Sequence, residues 1–146
     1  MATSILTNAG RLALSKTATA WDAATFKVLL ARPTYTPSVT DATIAAASAY
    51  EISGTGYTGG YGGSGRKTLA SKTVALDAQG RVVFDAADLT WTALDAGAVG
   101  WVCVVVETGG TDATGLLVAA LSYPVTDPAG GDLAVIWPST GLFYLA

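Results

Sequence analysis

Histidine is absent from the sequence. Its imidazole is the usual general base near neutral pH, the partner of nucleophilic Ser and Cys side chains, and the commonest zinc ligand. The 11 acidic residues lie mostly in predicted turns, where Asp bends and caps the backbone, so the sequence does not favour a glycosidase-type carboxylate pair. We therefore expect no catalytic residue, no cofactor and no metal site.

Cysteine is limited to Cys103, so the chain can form no intrachain disulfide. This residue lies inside the most apolar stretch, where a small buried hydrophobic side chain is a better interpretation than a nucleophile. The N-terminus lacks a basic segment followed by an apolar core, and no apolar run reaches the roughly 20 residues of a membrane span. We expect a protein that is made in a cytoplasm and binds no membrane.

Charged side chains are also scarce. They make up 13% of the residues against 51% hydrophobic ones, and the net charge is -3. The 8 Lys and Arg residues are scattered except for Arg66-Lys67, so nucleic-acid binding is not expected. A lone domain with this composition has too few polar groups to cover its surface. We expect partners to hide part of the apolar surface, as they do for a subunit of an assembly.

Two apolar runs separated by a break rich in Gly, Thr and Asp occupy residues 98–123. Runs of about eight residues that are dense in Val, Trp and Cys are typical of strands rather than helices, and the pair predicts a β-hairpin. Residues 101–106 are almost continuously apolar instead of alternating. Both faces of that strand should therefore be covered, as in the middle of a sandwich or barrel.

The remaining elements are placed around this hairpin. Apolar residues at helical spacing predict a short helix over 5–13 capped by Thr3 or Ser4, and an Ala-rich stretch predicts a second helix over 42–49. Further strands are predicted over 25–32, 50–52, 68–76, 81–84, 89–92, 133–137 and 142–145. The whole chain, 1–146, is expected to be one domain, an antiparallel β-sandwich of about seven or eight strands with one or two short helices.

A glycine-rich segment at 54–65 has the sequence GTGYTGGYGGSG. Glycine at this density leaves the backbone free, so the loop is either mobile or held by something packed against it. Large aromatic side chains are the best candidates for holding it. The segment also matches dinucleotide-loop and phosphate-loop patterns, but no helix is predicted after it, so both matches are discounted. We predict a partner-binding interface of Tyr57, Tyr61, Gly59, Gly60, Arg66 and Trp21.

Residue types alone indicate two further candidate sites. Asp85 and Asp88 could hold a calcium ion with nearby carbonyls, although an ordinary turn explains the same spacing and is favoured. The four tryptophans could form a platform that stacks on sugar rings, although burial in the core is the simpler interpretation. We therefore assign no metal or sugar site from these residues.

The order of the segments resembles that of a family of small structural proteins of tailed bacteriophages. The likeness covers nearly the whole chain, and its most characteristic pieces are residues 50–60, 83–91 and 130–137. The chain departs from the family in residues 103–106, where members often have a Tyr or similar residue, and in residues 59–65, where their glycine loop is plainer.

This resemblance implies a virion component without enzymatic activity. The expected role is a capsid decoration (cement) protein or a head-fibre base protein, docked on the major capsid protein as a homo-oligomer, with a trimer favoured by common capsid geometry. Alternatives are a collar, neck or tail component, a carbohydrate-binding module for host attachment, and a tail-associated hydrolase. On this hypothesis, replacing Tyr57 and Tyr61 by Ser leaves the domain folded and weakens its retention on particles.

Overall fold

A computed structural model describes residues 3–146, apart from the side chain of Ala18. Met1 and Ala2, part of the segment in which no targeting signal is expected, lie outside the described residues. The described part contains ten strands and two short helices. The strands are β1 (Ser4–Leu6), β2 (Lys27–Ala31), β3 (Lys67–Thr68), β4 (Thr73–Leu76), β5 (Val82–Asp85), β6 (Leu89–Leu94), β7 (Val99–Val106), β8 (Leu116–Thr126), β9 (Gly131–Val135) and β10 (Phe143–Leu145), and the helices are α1 (Asn8–Leu14) and α2 (Ile44–Ser48).

The strands form three antiparallel sheets, in the orders β1-β8-β7-β2-β3, β10-β5-β4 and β6-β9. A mainly β, antiparallel fold compatible with a sandwich is thus confirmed. One core joins the sheets, since Val104 of the first, Phe84 of the second and Trp91 of the third belong to the same buried cluster. No helix in residues 3–146 has both the length and the apolar character to cross a membrane.

The predicted central hairpin is confirmed as β7 and β8, which pair antiparallel from Val99 to Leu116. The even-numbered residues 102, 104 and 106 of β7 enter the larger core. Cys103 and Val105 enter a second cluster, in which α2 covers the opposite face of the sheet with Ile44 and Ala47. Both faces of β7 are therefore buried, which explains its continuous apolar sequence. Burial raises the pKa of the Cys103 thiol, in agreement with the predicted inert cysteine.

The N-terminal helix begins later than predicted. Residues Ser4–Leu6 form β1, which pairs with β8, and Thr7 is the N-cap of α1. The Thr7 hydroxyl accepts a hydrogen bond from Gly10 N at 2.9 Å and donates one to Leu117 O at 2.6 Å. Capping by Thr3 or Ser4 is wrong, because strand pairing with β8 uses the backbone that the helix would have needed.

Two of the predicted strands also differ. The strand predicted over 68–76 is broken into β3 and β4, which belong to different sheets, and Ser71 between them has a φ of 50°. In place of a strand over 50–52, Glu51 forms a single bridge with Ala31. The predicted hairpin between β4 and β5 is confirmed, with Gly80 at a φ of 75° in its turn. The second helix is confirmed over the shorter range Ile44–Ser48.

The fold buries much of the hydrophobic excess within one chain. Its accessible surface of 6629 Å² is close to the roughly 6,900 Å² expected for a compact monomer of this mass. Eight large apolar side chains among the described residues stay exposed. They are Leu12, Val39, Tyr50, Val74, Leu76, Val125, Ile136 and Tyr144.

Candidate functional site

Arg66 lies at the centre of the most charged cluster in the described part of the chain, and its side chain is completely buried. Its Nε and Nη2 donate to the two carboxylate oxygens of Glu51 at 2.9 and 2.7 Å. Its Nη1 and Nη2 also donate to the two oxygens of Asp112 at 2.7 and 3.0 Å, and Nη1 reaches Glu107 Oε1 at 3.1 Å. Planar, two-pronged pairing of this kind is the strong form of an arginine–carboxylate contact.

The three acids come from separate parts of the fold. Glu51 follows α2, Glu107 follows β7, and Asp112 lies in the connection between β7 and β8. Lys27 of β2 adds a second cation, with its Nζ 2.6 Å from Glu107 Oε2. Three carboxylates and two cations are thus brought together where the ends of several elements meet. We call Arg66, Glu51, Glu107, Asp112 and Lys27 the arginine cluster.

The arginine cluster holds the glycine-rich loop in place. Gly60 N donates to Glu51 Oε2 at 3.0 Å, and Gly62 N donates to Glu107 Oε1 at 3.1 Å. The acids that bind Arg66 therefore also bind the loop backbone. Near the end of the loop, Gly65 O accepts a hydrogen bond from the indole of Trp91 at 2.7 Å. The sequence left open whether the loop is mobile or held in place by contacts, and in the structure it is held in place.

Tyr57 links the loop to the core beneath it. Its side chain is 1% exposed, and its hydroxyl donates to Glu51 Oε1 at 2.8 Å and accepts from Leu30 N at 3.1 Å. Burial and the negative charge of Glu51 raise the pKa of this tyrosine well above its ordinary value, so it stays protonated. A Cβ on Gly65 would lie 2.6 Å from the Tyr57 ring, so glycine is required there for close packing.

The predicted interface needs correction for three of its six residues. The structure places Tyr57, Arg66 and Trp21 inside the chain, at 1%, 3% and 2% exposure, because each fills a polar or aromatic pocket of its own fold. The Trp21 indole packs on Phe26 at 4.7 Å and donates to Asp85 O. Replacing Tyr57 by Ser would therefore disturb the fold itself, contrary to the sequence-based expectation.

The other three residues of the predicted interface keep access to solvent. Gly59, Gly60 and Tyr61 are each partly exposed, and the Tyr61 hydroxyl accepts a hydrogen bond from Gly110 N at 3.1 Å. At Gly60 and Gly62, which have φ values of 92° and 69°, an added Cβ would meet no atom within 4 Å. The outer backbone of the loop is thus open to an approaching molecule.

Sequence reasoning identified Arg66 but not the four partners of its cluster. The available signal was the scarcity of charge, since an acid that ends an apolar strand, as Glu107 does, is rarely buried without a partner. The pairing itself joins residues 15, 41 and 46 positions apart. No local pattern reports such contacts.

The alternative sites considered from the sequence have structural explanations. Asp85 Oδ1 accepts from the neighbouring Ala86 N, and Asp88 Oδ1 accepts from Trp137 N at 2.9 Å, in a contact with the segment that follows β9. Trp21, Trp91 and Trp137 are buried, so a sugar platform of tryptophans is not presented. Within the described residues no group of three His, Cys, Asp or Glu side chains is arranged to hold a metal.

The electrostatics of the cluster favour its charged form. Burial acts to raise the pKa of Glu107, but hydrogen bonds from Lys27, Gly62 and Arg66 outweigh it, and the pKa lies below its ordinary value. Hydrogen bonding to Arg66 lowers the pKa of Asp112 in the same way. The guanidinium in turn has a raised pKa despite its burial, because of Glu51 and Asp112. These groups stay ionised at neutral pH and stabilise the loop instead of exchanging protons.

We expect the protein to lose stability in acid because of this cluster. The folded-state pKa values of Glu107 and Asp112 lie below the unfolded values of about 4.3 and 3.9. Their contribution is therefore complete above the unfolded pKa and is lost as the pH falls through the folded one. The urea midpoint should stay level from about pH 7 to 5 and drop below about pH 4.

The variant Asp112→Asn tests whether the loss of stability in acid comes from the arginine cluster. It should flatten the decrease in the urea midpoint below about pH 4, whereas Asp22→Asn, at an exposed position, should not. An unchanged pH profile in Asp112→Asn would place the acid sensitivity elsewhere in the chain.

Together, the fold and the site define a class of protein: an antiparallel β-domain that presents a glycine-rich loop in one conformation by means of a buried arginine. Comparison with protein-family models, with curated proteins and with solved structures finds no match to this chain.

Proposed function

We propose that the protein is a non-enzymatic structural component of a tailed-bacteriophage virion. Within that class, the role we favour is a capsid decoration (cement) or head-fibre base protein that binds the capsid shell through apolar and loop contacts. The order of the segments along the chain supports this class. The low share of charged residues, 13%, supports permanent contact with neighbouring subunits.

One observation carries the binding role: the arginine cluster holds the glycine-rich loop by its backbone. A loop that is already ordered loses little conformational entropy when a partner binds, so more of the contact energy appears as affinity. Gly59, Gly60 and Tyr61 are the residues of the predicted interface that keep access to solvent. We assign the partner contact to these three residues, with Tyr57 and Arg66 as their internal support.

The arginine cluster also bears on the enzymatic alternative. A general acid or base needs a pKa near the working pH. Glu107 and Asp112 have pKa values shifted below the ordinary carboxyl range, and both are hydrogen-bonded to Arg66. These contacts suit a structural support for a binding loop. A carbohydrate-binding module loses much of its basis too, because Tyr57 and Trp21, two of the three aromatic residues of the predicted interface, are buried.

Localisation on particles tests this proposal. Phage particles from the bacterium that encodes the chain would be purified, washed and examined by electron microscopy with a C-terminal tag and by quantitative mass spectrometry. Many copies spread over the head support decoration, and a few copies at one vertex or along the tail support the neck or tail alternative. Absence of the chain from washed particles would refute the virion proposal.

Tyr61→Ala should weaken retention of the chain on those particles. The ring is partly exposed, and its one hydrogen bond, from Gly110 N, can be replaced by water, so the loss of folding stability should be about 1 kcal/mol or less. Loss of an interface aromatic should reduce binding about tenfold or more. The measurement is the fraction of chain that stays bound after a urea challenge.

The matched control for this prediction is Tyr144→Ala, which removes an exposed tyrosine (45%) from β10, outside the loop. Its retention should equal that of the natural chain. Equal retention of both variants and the natural chain would exclude Tyr61 from the contact.

A further inference from the structure

Strand β4 is the outer strand of the sheet β10-β5-β4, and all four of its residues are exposed. Within residues 3–146 its pairing partner is β5. An outer strand presents unpaired N–H and C=O groups along its free side, which form a template for another strand. Proteins usually protect such an edge with a charge, a proline or a bulge. The sequence of β4, Thr-Val-Ala-Leu, has no charged residue and no proline.

The hydrogen-bonding pattern shows which groups of β4 face outward. Asp77 N donates to Arg81 O at 3.0 Å, so the pair 77–81 is a hydrogen-bonded one. Because such pairs alternate along an antiparallel ladder, Thr73 and Ala75 direct their backbone groups to β5. The N–H and C=O groups of Val74 and Leu76 therefore point to the free side.

The side chains of these two residues are apolar and poorly covered. Val74 is paired with Phe84 and Leu76 with Val82, so both side chains lie on the face of the sheet that carries the buried Phe84. Yet Val74 is 45% exposed and Leu76 is 72% exposed. Its free edge thus combines unpaired backbone groups with uncovered apolar side chains.

We propose that β4 pairs with β4 of a second copy of this chain, antiparallel and centred on Ala75. The inference goes beyond the virion role, since it concerns the isolated protein whatever particle it belongs to. Two copies related by a two-fold axis perpendicular to the sheet must pair residues of the same face, so the centre of the pairing is either Val74 or Ala75. The two arrangements differ in what faces Leu76.

Centring on Ala75 is the arrangement that suits the side chains. It places Val74 opposite Leu76 of the second copy, so that each apolar side chain covers the other. Each such pair exchanges both of its backbone hydrogen bonds, using the outward N–H and C=O groups. Centring on Val74 would instead place Leu76 opposite Lys72, a charged residue whose Nζ donates to Ala24 O in this chain.

The other edge of the same sheet is less suited to a partner. β10 forms that edge, and its residues contact β1 of the five-stranded sheet. A head-to-tail ring that joined β4 to β10 of the next copy would have to fit beside β1. Pairing of β4 with itself has no such constraint and closes after two copies.

The contact is small, so the expected association is weak. An edge of four residues buries less than the roughly 1,200 Å² at the lower limit of stable interfaces. A dissociation constant of roughly 10 µM to 1 mM is expected for the isolated protein. Neighbouring copies held together on a larger assembly would pair more completely, because their effective concentration is in the millimolar range.

Disulfide trapping of the full chain tests both the pairing and its centre. In the proposed arrangement Ala75 of each copy meets its equivalent in a non-hydrogen-bonded pair, with Cα atoms about 4.5 Å apart, which suits a disulfide. Ala75→Cys should give a covalent dimer under mild oxidation. Thr73→Cys, on the same face, is the matched control and should not, since its equivalents lie about 13 Å apart. The natural Cys103 is buried and should stay unreacted.

Three outcomes of trapping would overturn the proposal: a monomeric Ala75→Cys variant, equal trapping of both variants, or preferential trapping of Val74→Cys.

Sedimentation equilibrium of chains without added cysteine supplies an independent measurement. Leu76→Lys should abolish the concentration-dependent association, whereas Val125→Lys, a similarly exposed position at 68%, should retain it. Urea midpoints equal to that of the natural chain would show that both variants fold. Association that survives Leu76→Lys, or its absence from the natural chain near 1 mM, would also overturn the pairing, and none of these results depends on where the chain resides in a virion.

Discussion

Replacing Arg66 by methionine should lower the free energy of unfolding by about 3–5 kcal/mol. Methionine keeps much of the volume of the arginine but supplies no charge and no donor. Glu51 and Glu107, whose side chains are 5% and 9% exposed, would be left without this partner in the interior. Removing one member of a buried ion pair has this large effect because the remaining charge has already lost its hydration. Urea unfolding at pH 7 measures the change.

A matched arginine provides the control. Arg81 pairs with Asp77 at 2.6 Å and lies over the Tyr144 ring, but its side chain is 33% exposed. Arg81→Met should therefore change the urea midpoint much less than Arg66→Met. If the two variants lowered the urea midpoint equally, burial would not increase the contribution of the arginine cluster to stability.

Hydrogen exchange shows whether Arg66 acts through the glycine-rich loop. Gly60 N and Gly62 N are protected by the carboxylates of Glu51 and Glu107, and these carboxylates lose their orientation when Arg66 is replaced. In the absence of urea, both amides should exchange faster in Arg66→Met than in the natural chain, while amides of β7 stay protected. Unchanged loop amides in a destabilised variant would contradict the role of Arg66 as the support of the loop.

The destabilisation by Arg66→Met should also depend on pH in a defined direction. Without the guanidinium, Glu107 and Asp112 lose hydrogen bonds that hold their pKa values below the ordinary range, so both become neutral more readily. As the pH falls, the variant therefore loses less stability than the natural chain. The difference between their free energies of unfolding should narrow below about pH 5. A difference that stays constant down to pH 3 would exclude unpaired carboxylates as its cause.

Gly10→Ala should destabilise the protein by about 1–3 kcal/mol or more, although Gly10 lies inside α1. In an exposed helix the same change stabilises by about 1 kcal/mol, because glycine has more backbone freedom to lose. Here an added Cβ would lie 2.2 Å from Val118 O and 2.8 Å from Val118 Cα. Backbone atoms of β8 cannot move aside as a flexible side chain can, so α1 would have to lift from the sheet.

The effect of Gly10→Ala is measured as the shift in the urea midpoint. Lifting α1 would also stretch the contact of the Thr7 hydroxyl with Leu117 O, so amides at the start of α1 should exchange faster. Arg11→Ala, on the exposed side of the same helix, should change stability by no more than about 0.5 kcal/mol. Stabilisation by Gly10→Ala would mean that α1 does not pack against β8 as closely as described.

The sequence predicted the fold better than the site, and the site residues show why. The glycine-rich loop was recognised by composition, and Tyr57 and Arg66 were predicted to face a partner there. The predicted outward orientation of these two side chains was wrong. Nothing in the local sequence distinguishes a tyrosine that faces a partner from one that donates a hydrogen bond to Glu51. Only the partly exposed Tyr61 keeps the interface role predicted for the loop aromatics, and that role remains a prediction.

The same limit applies to the ends and edges of the strands. The strand predicted over 68–76 has the composition of one strand, yet its two parts pair with β2 and β5 in different sheets. Residues 5 and 6 fit a helix by periodicity but belong to β1, since β8 offers them an edge. In both places pairing with a distant strand outweighs the local pattern.

By itself the sequence determined that the chain is rich in antiparallel strands, that residues 98–123 form a hairpin at its centre, and that Cys103 is buried. These features follow from apolar runs and turn residues, which act over a few neighbouring positions. The tertiary structure alone decided that Arg66 points inward, that its three carboxylates converge on it from 15, 41 and 46 positions away, and that β4 is the outer strand of its sheet. Charge pairing and strand pairing depend on distance in space, and only the folded chain sets that distance.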